Sequence, residues 1–141
     1  MLVLRASSLS SARRALSPAV AASPRLFGST AVGRKHILDA SPEDFKAHAI
    51  DGSKPTLVDF YADWCGPCRV LGPVLEKVVT EESGADLLKI DTEQHGELAA
   101  QYKITALPTV IAFKNGAVVA KMVGAANEAG VRAFLDKASS A

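Results

Sequence analysis

Along this chain the spacing of apolar residues switches between runs, alternation and helical periods, and each switch marks an element. "KHIL" (Lys35 to Leu38) suits a short edge strand. "SPEDFKAHA" predicts a helix start, with Ser41 as N-cap, Pro42 in the first turn, and Glu43 and Asp44 near the positive end of the helix dipole. The turn cluster "DGSKP" (Asp51 to Pro55) stops it. "TLVDFYA" (Thr56 to Ala62) is apolar and β-branched enough for a buried strand, with Asp59 as its one discordant residue. From Cys65 to about Glu82, Val70, Leu71, Val74, Leu75, Val78 and Val79 recur at helical spacing, and Gly84 stands near the expected C-cap. Pro73, following Gly72 inside that helix, removes a backbone donor and predicts a kink.

"DLLKID" (Asp86 to Asp91) reads as a strand and "GELAAQY" (Gly96 to Tyr102) as a short helix. "PTVIAFKNGAVVAKMVG" reads as two strands around an Asn115-Gly116 hairpin turn. A last helix follows, capped by Asn127, with Val131, Phe134 and Leu135 on one face. The order is therefore β, α, β, α, β, α, β, β, α. Early alternation implies parallel strands joined by helical crossovers, and the late hairpin adds an antiparallel pair. The expected fold class is α/β, a central mixed β-sheet with helices on both faces.

Composition changes this picture at one end. The chain has 141 residues, 48% of them hydrophobic and 22% charged, enough for one domain with a real core, and a net charge of +1 that singles out no polyanionic partner. Residues 1–34 nevertheless hold five arginines (Arg5, Arg13, Arg14, Arg25, Arg34) and no acidic residue. The remainder carries 11 basic against 15 acidic residues, a net of −4. The head is also rich in serine and alanine, with Leu2, Leu4, Leu9 and Leu16 interleaved with arginines, as in an amphipathic transit peptide. "RLFGSTAVGR" resembles a two-step mitochondrial processing pattern: Arg25 two residues before a first cut at Phe27, Thr30 fourth in an octapeptide, and a mature start near Lys35. We therefore expect a cleaved mitochondrial transit peptide over 1–34 and a folded domain over 35–141, located in the matrix, with a plastid address as the nearest competitor. No apolar run is long enough to span a membrane.

The only two cysteines, Cys65 and Cys68, stand in "DFYADWCGPCRVLGP", where a strand hands over to a helix. A structural zinc site needs about four ligands, and His36, His48 and His95 are scattered through unrelated elements, so no metal site is expected. A stapling disulfide would close a very short loop, a small entropic gain, and would be unexpected in a reducing matrix. The favoured reading is a dithiol that cycles. At a helix start Cys65 lies near free backbone N–H groups and the positive dipole end, which favours thiolate over thiol. Cys68, one turn further on, is close enough to attack a mixed disulfide on Cys65.

"WCGPC" (Trp64 to Cys68) resembles the active site of the thioredoxin family, and the similarity runs from about residue 37 to the C-terminus. "VDF" stands before the site at the family's spacing. Pro73 matches the kink proline, "LPT" (Leu107 to Thr109) the cis-proline segment, "FKNG" the hairpin and "VGA" (Val123 to Ala125) the glycine loop. The resemblance implies a thioredoxin fold and a thiol–disulfide oxidoreductase that reduces protein disulfides through a reversible Cys65–Cys68 pair, with no separate cofactor. It implies that Asp59, costly to bury as a carboxylate, activates Cys68 as a proton acceptor, with Lys89 nearby to tune it. It places Trp64 beside the sulfurs and lets Gly66 and Pro67 set the geometry between them. Pro108, Leu107, Ala106, Gly124 and Ala125 form the surface where an extended target segment pairs with backbone. The implied partners are a flavin-dependent thioredoxin reductase fed by NADPH and disulfide-bearing targets such as peroxiredoxins, with no nucleic acid and no membrane, and a monomeric state. Pro67 stands where oxidising relatives carry histidine, which disfavours an oxidase or isomerase. Tyr61 departs from the family's usual tryptophan, Gly72 from alanine, Leu107 from isoleucine or valine, and Arg69 from lysine.

Overall fold

A computed structural model describes residues 36–141. The expected transit segment 1–34, its processing pattern and Lys35 lie outside the described residues. The elements are β1 (His36–Ile37), α1 (Pro42–Phe45), β2 (Thr56–Tyr61), α2 (Gly66–Val78), β3 (Asp86–Asp91), α3 (Gly96–Gln101), β4 (Thr109–Lys114), β5 (Ala117–Val123) and α4 (Glu128–Ser140). The strands form one sheet in the order β1-β3-β2-β4-β5. β2 runs parallel to β3 and antiparallel to β4, so the sheet is mixed, as the element order implied.

Strand alternation then divides the core in two. Leu57, Leu87, Val110 and Ala112 face α2 and α4, meeting Leu71, Leu75, Val131, Phe134 and Leu135. Val58, Phe60, Leu88, Ile90, Ile111 and Phe113 face the other way, onto Phe45, Ala49 and Ala99. Asp59 shares the parity of Leu57, so its side chain lies on the face covered by α2. That placement, a carboxylate under the helix that carries the cysteines, is the fold's main contribution to the site.

Boundaries differ from the expectations at the ends of α1 and α2. α1 is capped at Ser41 in a reciprocal capping box with Asp44, but after Phe45 the chain widens into a π-helical turn, Lys46–Ile50. The long helix ends at Val78 rather than near Glu82; a 3₁₀ turn, Glu81–Ser83, follows, and Gly84 (φ 66°) closes that turn instead of the helix. Apolar spacing continued through Val79 because it is fully buried, yet it sits beyond the last turn, its carbonyl bonded to His36 Nε2. Val70, counted in the apolar stripe, is 64% exposed, on the rim of the helix beside the cysteines.

Candidate functional site

Cys65 ends the β2–α2 connection as the N-cap of α2, with extended backbone, and its Sγ accepts the N–H of Cys68 at 3.2 Å. The same backbone donor would hold a thiolate at this position. The two buried sulfurs are joined as a disulfide, with the Cα atoms 5.3 Å apart. Gly66 and Pro67 form the first turn of α2, where the missing N–H of proline is no loss. Arg69 donates to the Asp63 carbonyl at 2.7 Å, closing the turn from outside.

Behind the disulfide, Asp59 is 0% exposed, and neither carboxylate oxygen has a hydrogen-bond partner among the described residues. Burial pushes its carboxyl up to about 7; the Lys89 ammonium opposes the rise and the Glu76 carboxylate adds to it. Asp59 and Lys89 are register partners in the parallel β2–β3 ladder, so their side chains stand on one face. Lys89 Nζ lies 5.2 Å from the centre of the Tyr61 ring and 3.4 Å from Glu76 Oε1. A cleft of about 380 Å³ is lined by Tyr61, Ala62, Asp63, Cys68, Arg69 and Lys89, so Cys68 and Lys89 face the same solvent space. The Tyr61 hydroxyl is pushed up, first by burial and then by Asp91, Asp39, Asp63 and Asp59, which keeps the phenol protonated.

In front, the Leu107–Pro108 peptide is cis. Leu107 packs against Ala62, Cys65 and Cys68, together with Tyr61. The Thr109 hydroxyl donates to the Ala106 carbonyl at 2.7 Å and fixes the turn. Gly124 N–H donates to the Pro108 carbonyl at 2.8 Å with φ of +91°, a conformation that side chains rarely adopt. Ala106 and Ala125 are exposed on either side. Trp64 is 70% exposed and donates its indole N–H to Glu93 Oε1 at 3.3 Å. Tyr61, half-buried, packs against the cluster of Ala62, Cys65 and Cys68, while Trp64 walls a groove of about 260 Å³ that includes Ile104, Ala106 and Leu107.

The structure thus brings Cys65, Cys68, Asp59, Lys89, Leu107, Pro108 and Gly124 to one end of the sheet. Sequence reasoning did not single out Glu76 or Glu93. Glu76 stands eight residues after Cys68 on α2, a spacing that keeps it near the same helix face, and that was the available signal. Among the described residues, no group of three or more His, Cys, Asp or Glu side chains could hold a metal ion.

Residues 36–137 match the family model for thioredoxin. The mitochondrial thioredoxin of Bos taurus is 47% identical over 95 residues, 67% of this chain and 57% of the relative; that of Mus musculus is 46% identical over the same shares. The matched stretch therefore spans less than two thirds of the length of these relatives. Thioredoxin C-2 of Corynebacterium nephridii is 39% identical over 102 residues, 94% of its length. Among solved structures, the thioredoxin of Malassezia sympodialis superposes with a TM-score of 0.65 at 32% identity, covering 76% of this chain and 92% of that one. Family model, relatives and fold agree with the resemblance carried by Trp64 to Cys68: this chain belongs to the thioredoxin family.

Proposed function

We propose that the protein is a thiol–disulfide oxidoreductase that reduces protein disulfides. The carrying observation is the Cys65–Cys68 pair on the N-terminus of α2, with Asp59, a buried carboxyl without a hydrogen-bond partner among the described residues, on the sheet face that α2 covers. In the reduced form the Cys65 thiolate attacks one sulfur of a target disulfide, a Cys65–target bond forms, and the other target sulfur leaves as a thiolate that takes up a proton. Cys68 then gives its proton to Asp59, and its thiolate attacks Cys65 Sγ. The Cys65–Cys68 bond closes as the Cys65–target bond breaks, and the second target sulfur leaves as a thiolate that takes up a proton. Two electrons pass from the dithiol to the target, and no further cofactor takes part.

Asp59 suits the second step because its carboxyl titrates near 7, where it can both accept and release a proton under ordinary conditions. The half-buried Leu107, the cis peptide before Pro108 and the close approach allowed by Gly124 suit strand-like pairing with an extended target segment, with the exposed Trp64, Ala106 and Ala125 around it. Regeneration by a flavin-dependent thioredoxin reductase, delivery to targets of the peroxiredoxin type, and a mature domain over 35–141 acting as a monomer in the mitochondrial matrix after loss of 1–34 complete the reading. The arginine-rich, acid-free head and the mitochondrial naming of relatives support the location.

With dithiothreitol as donor, the protein should speed the reduction of insulin disulfides well above the uncatalysed rate, while Cys65→Ser stays at background. Equal rates for the native protein and Cys65→Ser would overturn the proposal.

A further inference from the structure

Gly72 and Glu76 are four residues apart on α2 and so share a face. A Cβ built on Gly72 would lie 3.0 Å from Lys89 Nζ. The ammonium therefore occupies the space that a side chain at position 72 would fill. From there it reaches Glu76 Oε1 at 3.4 Å, while Asp59 is its register partner on the same face of the sheet. One cation thus serves two carboxylates that differ in every other respect. Asp59 is sealed from solvent and has no hydrogen-bond partner among the described residues, whereas the Glu76 side chain is 35% exposed.

The other surroundings of Asp59 add little charge. Its β4 register partner is Val110, and α4 packs on this face through Val131, Phe134 and Leu135. Tyr61, next on the same face of β2, holds a protonated phenol, and α2 contributes the Cys68 sulfur. Lys89 and Glu76 are left as the ionised groups that act on this carboxyl from β3 and α2.

We propose that Glu76 is a positioning residue for the resolving step: it holds the Lys89 ammonium over the Gly72 gap, shared between two carboxylates, and so sets how readily Asp59 takes the proton of Cys68. The inference rests on the reading of Asp59 as the base in that step. Without Glu76 the ammonium belongs to Asp59 alone. A nearby opposite charge favours the ionised form, so Asp59 would lose its proton at lower pH and become a weaker base. Glu76 therefore keeps Asp59 protonatable near neutrality, and Gly72 is the residue that makes room for the arrangement.

The test is a titration of Asp59 by carboxyl ¹³C NMR in the oxidised full chain, beside the pH profile of mixed-disulfide resolution. The native midpoint is expected at about 7. Glu76→Gln, nearly isosteric and partly exposed, should lower it by about half a unit or more and move the kinetic midpoint with it. In a Lys89→Met background the same change should move it by less than about a third as much, because the mediator is gone. An unchanged midpoint in Glu76→Gln overturns the inference. So does an equal shift with and without Lys89, which would mean direct action across space. Asp59→Asn separates the two layers. If it leaves the resolution profile unaltered, Asp59 is not the base and the role of Glu76 falls with it. If it flattens the profile while Glu76→Gln shifts nothing, only the inference about Glu76 fails.

Discussion

Replacing Cys68 with serine is expected to convert the protein from a catalyst into a trap. Cys65 remains the N-cap of α2, and the backbone N–H of residue 68 still points at its sulfur, so attack on a target disulfide proceeds. The second step loses its nucleophile. Release then depends on an outside thiol at millimolar concentration, against an internal group held one helical turn away. Oriented intramolecular groups act at very high effective molarity, so multiple-turnover reduction should fall by roughly three orders of magnitude or more. A covalent complex between this variant and the target should accumulate on non-reducing gels and disappear on adding dithiothreitol. A protein that used this fold only as a docking surface would bind its partner through either variant and form no such adduct.

A second large effect concerns stability. Asp59 titrates at about 7 in the folded protein against an ordinary 3.8. Below the ordinary value both folded and unfolded chains hold the proton, and the group is neutral to stability. Between the two values the unfolded chain ionises while the folded protein keeps its proton, so stability falls as pH rises. Above the folded value the loss is complete, about 4 kcal/mol at roughly 1.4 kcal/mol per unit. Asp59→Asn removes the ionisation, leaving only a pH-independent offset from burying an amide. In urea unfolding at pH 4 and pH 8, the variant should gain about 3–4 kcal/mol on the native protein between the two conditions. A difference that does not change with pH would contradict the buried, weakly paired carboxyl. In the proposed mechanism the residue that limits stability also serves the resolving step, a trade between stability and function that is common at active sites.

The discordant Asp59 in "TLVDFYA" and the cysteines at a strand-to-helix boundary were legible because each breaks a local pattern that otherwise holds. Strand alternation alone was enough to put Asp59 on the α2 side once the helix was placed. The cis peptide at Pro108 came from the family resemblance, since spacing carries no information about peptide isomers. Other features depend on three-dimensional neighbours. Val70 obeys the helical apolar period yet faces outward, because the buried stripe of α2 is centred on Leu71, Leu75 and Val78. The π-helical turn after Phe45 follows no propensity visible in "KAHAI". Gly72 reads in sequence only as a departure from the family's alanine, but its fit is explained by Lys89, a residue distant in sequence that lies against it. Likewise Trp64 and Tyr61 could not be ranked from sequence. Only the packing shows Tyr61 half-buried against the cluster of Ala62, Cys65 and Cys68 and the Trp64 indole N–H bonded to Glu93.

The central claim is that Cys65 and Cys68 exist to open and close. Equilibrating the protein with glutathione or dithiothreitol buffers of graded potential, and counting free thiols by mass after alkylation, tests it most directly. The account requires a single two-electron transition between the dithiol and the Cys65–Cys68 disulfide, at a potential more reducing than the glutathione pool. A pair that stays oxidised throughout, or that titrates as a strong oxidant, would contradict it.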